Sequence, residues 1–152
     1  MPATNWMLKS FADLTPDELY ALLRLRSEVF VVEQNCVFLD MDNKDQHCLH
    51  LLGWQGDLLA ASTRLVPPGI SYELPSIGRV VSSPLVRGTG IGRILMQKSI
   101  DEVKIRWGTY DIKIGAQLYL KHFYESLGFQ QTSAIYLEDN IAHIEMILHN
   151  SL

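Results

Sequence analysis

Three glycines at alternate positions, in Arg87-Gly88-Thr89-Gly90-Ile91-Gly92, join an apolar strand-like stretch to a helical one. No other feature restricts the fold as strongly. Without side chains, the backbone N–H groups of one short loop can converge on a ligand. The loop also feeds a helix start, where unpaired N–H groups and the macrodipole favour an anion. Strand, bare loop, arginine and helix start together describe a cradle for a diphosphate. A tight connection with no ligand is the plainer alternative.

The elements around this junction follow from periodicity and punctuation. Asn5 to Phe11 suits a first strand. Thr15-Pro16-Asp17-Glu18 predicts a helix start, with Thr15 as N-cap, Pro16 at the first position and Glu18 closing a capping box. Leu19, Leu22, Leu23 and Phe30 continue near helical spacing, and the β-branched Val29-Phe30-Val31-Val32 run should end it. Residues 35–47 read as loop. Strands are expected over 49–55 and 58–66 around a Gly56-Asp57 turn, and over 77–82. From Gly90 a helix should run to Trp107 with Gly108 as its stop, followed by a strand over 111–116 and a helix over 117–127 capped by Gly128. Strands over 129–136 and 143–148 would flank the turn Glu138-Asp139-Asn140. The order β-α-β-β-β-α-β-α-β-β makes the class α+β with a mixed central sheet.

A chain of 152 residues fits a single domain over 1–152. Its 13 basic and 17 acidic residues give no global field toward nucleic acid or anionic lipid, so a phosphate site must be local. No apolar run has the length of a membrane span. The opening residues lack the basic start and apolar core of a signal peptide. Two cysteines, Cys36 and Cys48, suit a reducing compartment, and the expected location is cytoplasmic.

Three nucleotide-binding patterns compete for the loop. A Walker loop needs Gly-Lys-Ser/Thr, and Ile91-Gly92-Arg93 stands there instead. A dinucleotide fingerprint needs G-x-G-x-x-G, whereas these glycines fall at 88, 90 and 92, and too little chain follows for a doubly wound sheet. The third pattern, Arg/Gln-x-x-Gly-x-Gly/Ala after a strand, fits at every fixed position. It resembles the pyrophosphate loop of the GNAT superfamily of N-acetyltransferases, which bind acetyl-coenzyme A. Phe123-Tyr124-Glu125-Ser126-Leu127-Gly128-Phe129, about 30 residues later, is similar to the family's helix-then-strand signature. Residues 25–34, His50 to Trp54, Gly115-Ala116-Gln117 and 138–144 resemble the small bacterial ElaA branch.

The resemblance implies a GNAT acyl-coenzyme A N-acyltransferase fold, its mixed sheet splayed at the cofactor site and flanked by helices. It implies acetyl-coenzyme A as co-substrate, a primary amine as acceptor and direct attack in a ternary complex. Gly88, Thr89, Gly90, Ile91 and Gly92, with Arg87 and Arg93, would bind pyrophosphate. The free backbone of Val80, Val81 and Ser82 would hold the pantetheine arm, and Gln117 stands where many relatives place an Asn on that arm. Tyr124 occupies the general-acid position; a tyrosine, with a reference pKa of ~10, stays protonated at neutral pH and can donate to a departing thiolate. Tyr110, Tyr119 and Tyr136 are expected to be framework.

Glu33 follows an apolar run in the segment that walls the acceptor site, and is either the general base or a surface carboxylate. His50 and His143 lie in strand-like runs, where a lone histidine usually packs. Asp40-Met41-Asp42-Asn43-Lys44-Asp45 fails as a calcium loop, because Asp45 replaces the needed glycine and Leu51 the bidentate Glu. It is either an acidic patch facing cationic amines or a solvated loop. Cys36, His47, Cys48 and His50 lack zinc spacing, and no metal is expected. Nor does any feature suggest nucleic-acid or membrane partners, while a homodimer through the last strands is an assembly the superfamily allows. The competing functions are a non-catalytic acyl-coenzyme A sensor on the same fold, an enzyme using a larger acyl donor, and a nucleotide-binding module.

Overall fold

The computed structural model describes residues 3–108 and 111–149; Tyr110 lies outside them. β1 (Asn5–Ser10), β2 (Leu49–Gln55), β3 (Leu58–Val66) and β4 (Ser76–Ser82) form an antiparallel sheet in chain order. β5 (Ile112–Gln117), β6 (Phe129–Gln131), β7 (Tyr136–Glu138) and β8 (Ile141–Leu148) form a second, in which β8 pairs with each of the other three. Three α-helices are described: α1 (Pro16–Arg26), α2 (Ile91–Trp107) and α3 (Lys121–Ser126).

The two sheets meet where β4 and β5 begin. The Lys113 N–H donates to the Pro75 carbonyl at 3.1 Å, and beyond that point the strands share no ladder. One core binds the halves together. Leu65 and Ile77 from the first sheet, Met96, Ile100 and Val103 from α2, and Ile112, Ile114, Ile144 and Met146 from the second are all buried in it. Each such side chain stabilises by about 1.5–3 kcal/mol. On the opposite face, Leu22, Leu25 and Val29 of α1 and the turn after it pack on Leu52, Leu59 and Val81.

Val81 reaches that second core because β4 carries a bulge. Ser62 opposes Val81 and Arg64 opposes Gly78, so one residue of β3 lies between the pairs against two of β4, Arg79 and Val80. The extra residue flips the strand's faces: Ile77 points into the α2 core, and Val81 into the α1 core. It also bends β4 away from its neighbour. Arg79, inside the bulge, holds φ 48°, a left-handed conformation costing a non-glycine residue about 1–3 kcal/mol.

That strain is held by a buried ion cluster. Arg26 (1 % exposed) donates through Nε to Asp40 and through Nη1 to Asp45, each at 2.9 Å. Arg64 donates to Asp42 at 2.8 and 2.9 Å and to Asp45 at 3.0 Å. Arg79 donates to the Asp40 carbonyl at 2.8 Å and to Asp42 at 3.3 Å, while its Nε lies 2.9 Å from Asp40 Oδ1, out of line for a hydrogen bond. Residues 40–45 are therefore neither a solvated loop nor an acidic patch for amines. Their carboxylates neutralise three arginines from α1, β3 and β4.

The capping box forms as expected, with Thr15 N–H to Glu18 at 2.9 Å and Glu18 N–H to Thr15 Oγ1 at 3.2 Å. Four boundaries differ from expectation. The first helix does not stop in the valine run but widens into a π-helical turn over Ser27–Glu33. The helix placed at 117 begins at Lys121, because Gln117 stays paired with His143 in the β5–β8 ladder. The strand expected over 129–136 is split: the Ser133 hydroxyl accepts the Glu145 N–H at 2.8 Å in place of a ladder carbonyl. The last strand begins at Ile141, its hairpin turn made by Asp139 and Asn140 at φ 51° and 63°.

Burial opposes ionisation of Asp42 and Asp45, yet hydrogen bonds and charge from Arg64 and Arg26 outweigh it and hold both below the aspartate range. A depressed folded value adds stability above the unfolded value of ~3.9 and loses it as pH falls below that. Unfolding midpoints should thus drop as the buffer is taken below about pH 4. Removing one member of the cluster leaves charge unpaired, so Asp45→Ala should cost about 3–5 kcal/mol in urea unfolding. A loss under ~1 kcal/mol, the range of a surface pair, would contradict this account.

Candidate active site

Where β4 and β5 part, a cleft of about 970 Å³ opens, running from the glycine loop past both strand ends to the β7–β8 turn. Its end at the glycine loop is made of backbone. Gly88 and Gly90 sit at φ 79° and 83°, and Gly90 caps α2 in the left-handed conformation. That geometry needs glycine. A side chain built at 88, 90 or 92 would meet no protein atom within 4 Å, so the loop faces open space. Among the described residues, the N–H groups of Gly88 through Gly92 take no hydrogen-bond partner. The Thr89 hydroxyl donates to the Val86 carbonyl at 2.6 Å, and the Ile91 side chain is buried in the core; both shape the loop from behind.

The arginines are engaged elsewhere. Arg87 forms a two-point pair with Glu33, at 2.6 and 2.7 Å. Arg93 donates to the hydroxyl and carbonyl of Ser126 at 2.9 and 3.3 Å, tying α2 to the end of α3. In this arrangement the donors left free at the loop are its backbone N–H groups. For the same reason Glu33 is a poor candidate base: its hydrogen bond from Arg87 lowers its pKa, stabilising the form that keeps no proton.

Val80, Val81 and Ser82 line the cleft along the end of β4, facing Gly115 and Gln117 of β5. The amides of Gln117 and Gln34 bond reciprocally at 3.2 and 3.3 Å. Adjacent residues of the π-helical turn's end thus span the cleft, Glu33 to the glycine loop and Gln34 to β5. The wider turn makes this reach: Gln34 N–H returns to the Val29 carbonyl and Cys36 N–H to that of Val31.

Tyr124 lines the cleft with its ring 5 % exposed, edge-on to Phe123 and Phe129 at centroid distances of 5.2 and 5.9 Å. Burial pushes its pKa up, and its hydroxyl makes no protein hydrogen bond among the described residues. It is a phenol kept protonated with its proton uncommitted. Tyr119 is an exposed cleft-edge residue rather than buried framework.

The far end of the cleft lies on the Gly115 and Gln117 face of β5, opposite the Ile114 and Ala116 face that packs with Tyr124. Phe38, Tyr72, Gly115, Glu138 and His143 line it. Tyr72 and Tyr136 bring their hydroxyls to 3.1 Å from where a Cβ on Gly115 would stand, so a side chain there would push one or both aside by a few tenths of an ångström. Burial raises the Tyr72 pKa to about 12. Sequence patterning gave no sign of Tyr72, which sits in the aperiodic connection after Pro67-Pro68-Gly69. His50 is a satisfied core histidine, its Nε2 2.9 Å from the Asp45 carbonyl. Cys36 and Cys48 are free thiols, and burial pushes Cys48 up to about 11.

A strand pair splayed over a glycine-rich helix start defines an acyltransferase cleft, and comparison with known proteins agrees. The model of the acetyltransferase (GNAT) domain matches residues 28–149, and the chain belongs to that family. Protein ElaA of Escherichia coli K12 is 40 % identical over 144 residues, covering 93 % of this chain and 94 % of its own. Its crystal structure superposes with a TM-score of 0.89 at 38 % identity, covering 95 % of this chain and 98 % of the other. An acyl-CoA N-acyltransferase from Pseudomonas aeruginosa gives 0.91 at 41 % identity over 95 % and 99 % of the two chains. The family performs acyl transfer and generally uses an acyl-coenzyme A as co-substrate.

The Glu33–Arg87 pair should compete with the coenzyme's phosphates for one guanidinium. Exposed pairs contribute about 0.2–1 kcal/mol, so Glu33→Gln should tighten coenzyme A binding up to roughly five-fold by calorimetry. Unchanged or weaker binding would show that the pair does not oppose the ligand.

Proposed function

We propose that this protein is an N-acetyltransferase that moves the acetyl group of acetyl-coenzyme A to a primary amine, by direct attack while both are bound. The observation that supports it most is the continuity of the cleft. Arg87 and Gly92 of the glycine loop, Val80, Val81 and Ser82 at the end of β4, and Tyr124 all line this one cleft.

In this reading the Gly88–Gly92 amides and the α2 dipole receive the diphosphate. The peptide groups of Val80, Val81 and Ser82 receive the pantetheine arm as an added strand would be received, and Gln117 contributes its amide once its bond to Gln34 is shared. Arg87 joins the phosphates by exchanging Glu33. Thr89 and Ile91 act through the loop's shape, and Arg93 by fixing α3. A thiol with a reference pKa of ~8.5 leaves readily, so a weak acid suffices to protonate it, and Tyr124 is that acid. Reactants aligned in this way need no covalent enzyme intermediate.

Titration with acetyl-coenzyme A should give saturable one-site binding, and thiol release should depend on added amine. No binding at millimolar ligand would overturn the proposal, and binding without amine-dependent release would favour the sensor. Tyr124→Phe should leave the affinity within about two-fold and lower turnover 10²-fold or more, the lower end for a positioned proton donor. Unchanged turnover at saturating amine would assign the proton to water.

A further inference from the structure

β8 places a histidine that the donor-side chemistry leaves unused. His143 pairs with Gln117 across the β5–β8 ladder, and antiparallel partners project to the same face with Cβ atoms about 4.5–5.5 Å apart. The imidazole therefore stands one side chain away from the amide assigned to the coenzyme arm. Its neighbour Ile144 points into the core instead. His143 lines the far end of the cleft, its side chain 10 % exposed and its ring stacked on Tyr136 at 5.8 Å and 28°.

Both ring nitrogens have defined surroundings. Nδ1 lies 2.7 Å from the Ile141 carbonyl, which can only accept, so Nδ1 carries the hydrogen. In the neutral ring the lone pair is then on Nε2. Nε2 makes no hydrogen bond, and a carboxylate oxygen of Glu138 is 3.4 Å away, close enough to stabilise a positive ring. Of the cleft's other carboxylates, Glu33 is paired with Arg87 and Asp42 with Arg64 and Arg79, while Asp139 stands exposed on the β7–β8 turn.

The geometry points to His143 Nε2 as the catalytic base that accepts a proton from the acceptor amine, with Glu138 as its electrostatic partner; this rests on the acetyltransferase reading above. The ammonium of the acceptor gives up two protons in all. One passes to His143 Nε2 and on to water. The amine nitrogen forms its bond to the acetyl carbon, the carbon–sulfur bond breaks, and the other proton ends on the thiolate. An acceptor entering here passes Phe38 and Tyr72 and meets the Glu138 carboxylate, which favours a cationic amine borne on an apolar or aromatic stem.

Bromoacetyl-coenzyme A tests this without knowledge of the acceptor, because its bromomethyl carbon stands one bond from the carbonyl carbon that the amine would attack. The expected result with the full chain is alkylation of His143, bromide leaving as the Nε2–carbon bond forms, read by peptide mass spectrometry and suppressed by excess coenzyme A. His143→Gln should lose the label and keep its calorimetric affinity for coenzyme A. Alkylation of Glu138, Cys36 or Tyr124 instead, or of nothing while coenzyme A still binds, would overturn the assignment of His143 alone. Failure of the wild-type protein to bind coenzyme A would overturn the donor reading and this inference with it.

Discussion

Asp40, Asp42 and Asp45, closed on Arg26, Arg64 and Arg79, hold the parts on which the cleft depends. Three acidic and three basic groups neutralise one another, with Arg26, Asp40, Asp45 and Arg64 buried and Asp42 and Arg79 at the cleft's edge, so breaking a buried pair leaves an uncompensated charge. The guanidinium of Arg79 is what fixes the bulge in β4, a conformation its own backbone disfavours by about 1–3 kcal/mol. The bulge turns the strand's end outward, and the outward turn makes the gap between β4 and β5. Arg26 anchors the same loop to α1, and thereby the π-helical turn whose end overhangs the gap. A surface loop of identical composition would do none of this, since exposed pairs contribute at most about 1 kcal/mol.

The cleft that results is divided by chemistry. Its donor side offers backbone amides and a protonated phenol; its far side offers an imidazole, a carboxylate and two tyrosine hydroxyls over a glycine. Glu33 and Gln34 bridge between the walls, one by an exposed ion pair and the other by paired amides. Both bridges are made of groups that exchange partners at small cost, whereas the ion cluster beneath them does not. The rigid part of the molecule therefore sets the shape, and the exchangeable part lies where ligands enter.

Much of this was legible in the sequence wherever chemistry was local. The glycine spacing, the Thr15 capping box and the hairpin turn at Asp139-Asn140 each announce a backbone conformation through the residues that adopt it. The tyrosine of Phe123-Tyr124 could be placed because its motif is contiguous. What lay hidden depends on partners far apart in the chain. Nothing near Glu33 reveals Arg87, 54 positions away, whose hydrogen bonds lower the pKa of a carboxylate that the sequence leaves as base or surface group. The acids at 40–45 resemble a solvated loop until Arg26, Arg64 and Arg79 arrive from three other elements. His143 has the pattern of any strand histidine, and only the β5–β8 register sets it beside Gln117. The π-helical turn had no signal, since its valine run argues equally for a helix end.

The central claim is that main-chain amides at the start of α2 and the free end of β4 hold an acyl-coenzyme A. Amide hydrogen exchange measured with and without acetyl-coenzyme A tests it most directly, because it reports on those N–H groups themselves. Exchange should slow in peptides covering 80–82 and 88–93, with β1 and the outer face of β2 unchanged. Saturation by the ligand with no protection at those positions, or with protection confined to another surface, would contradict it.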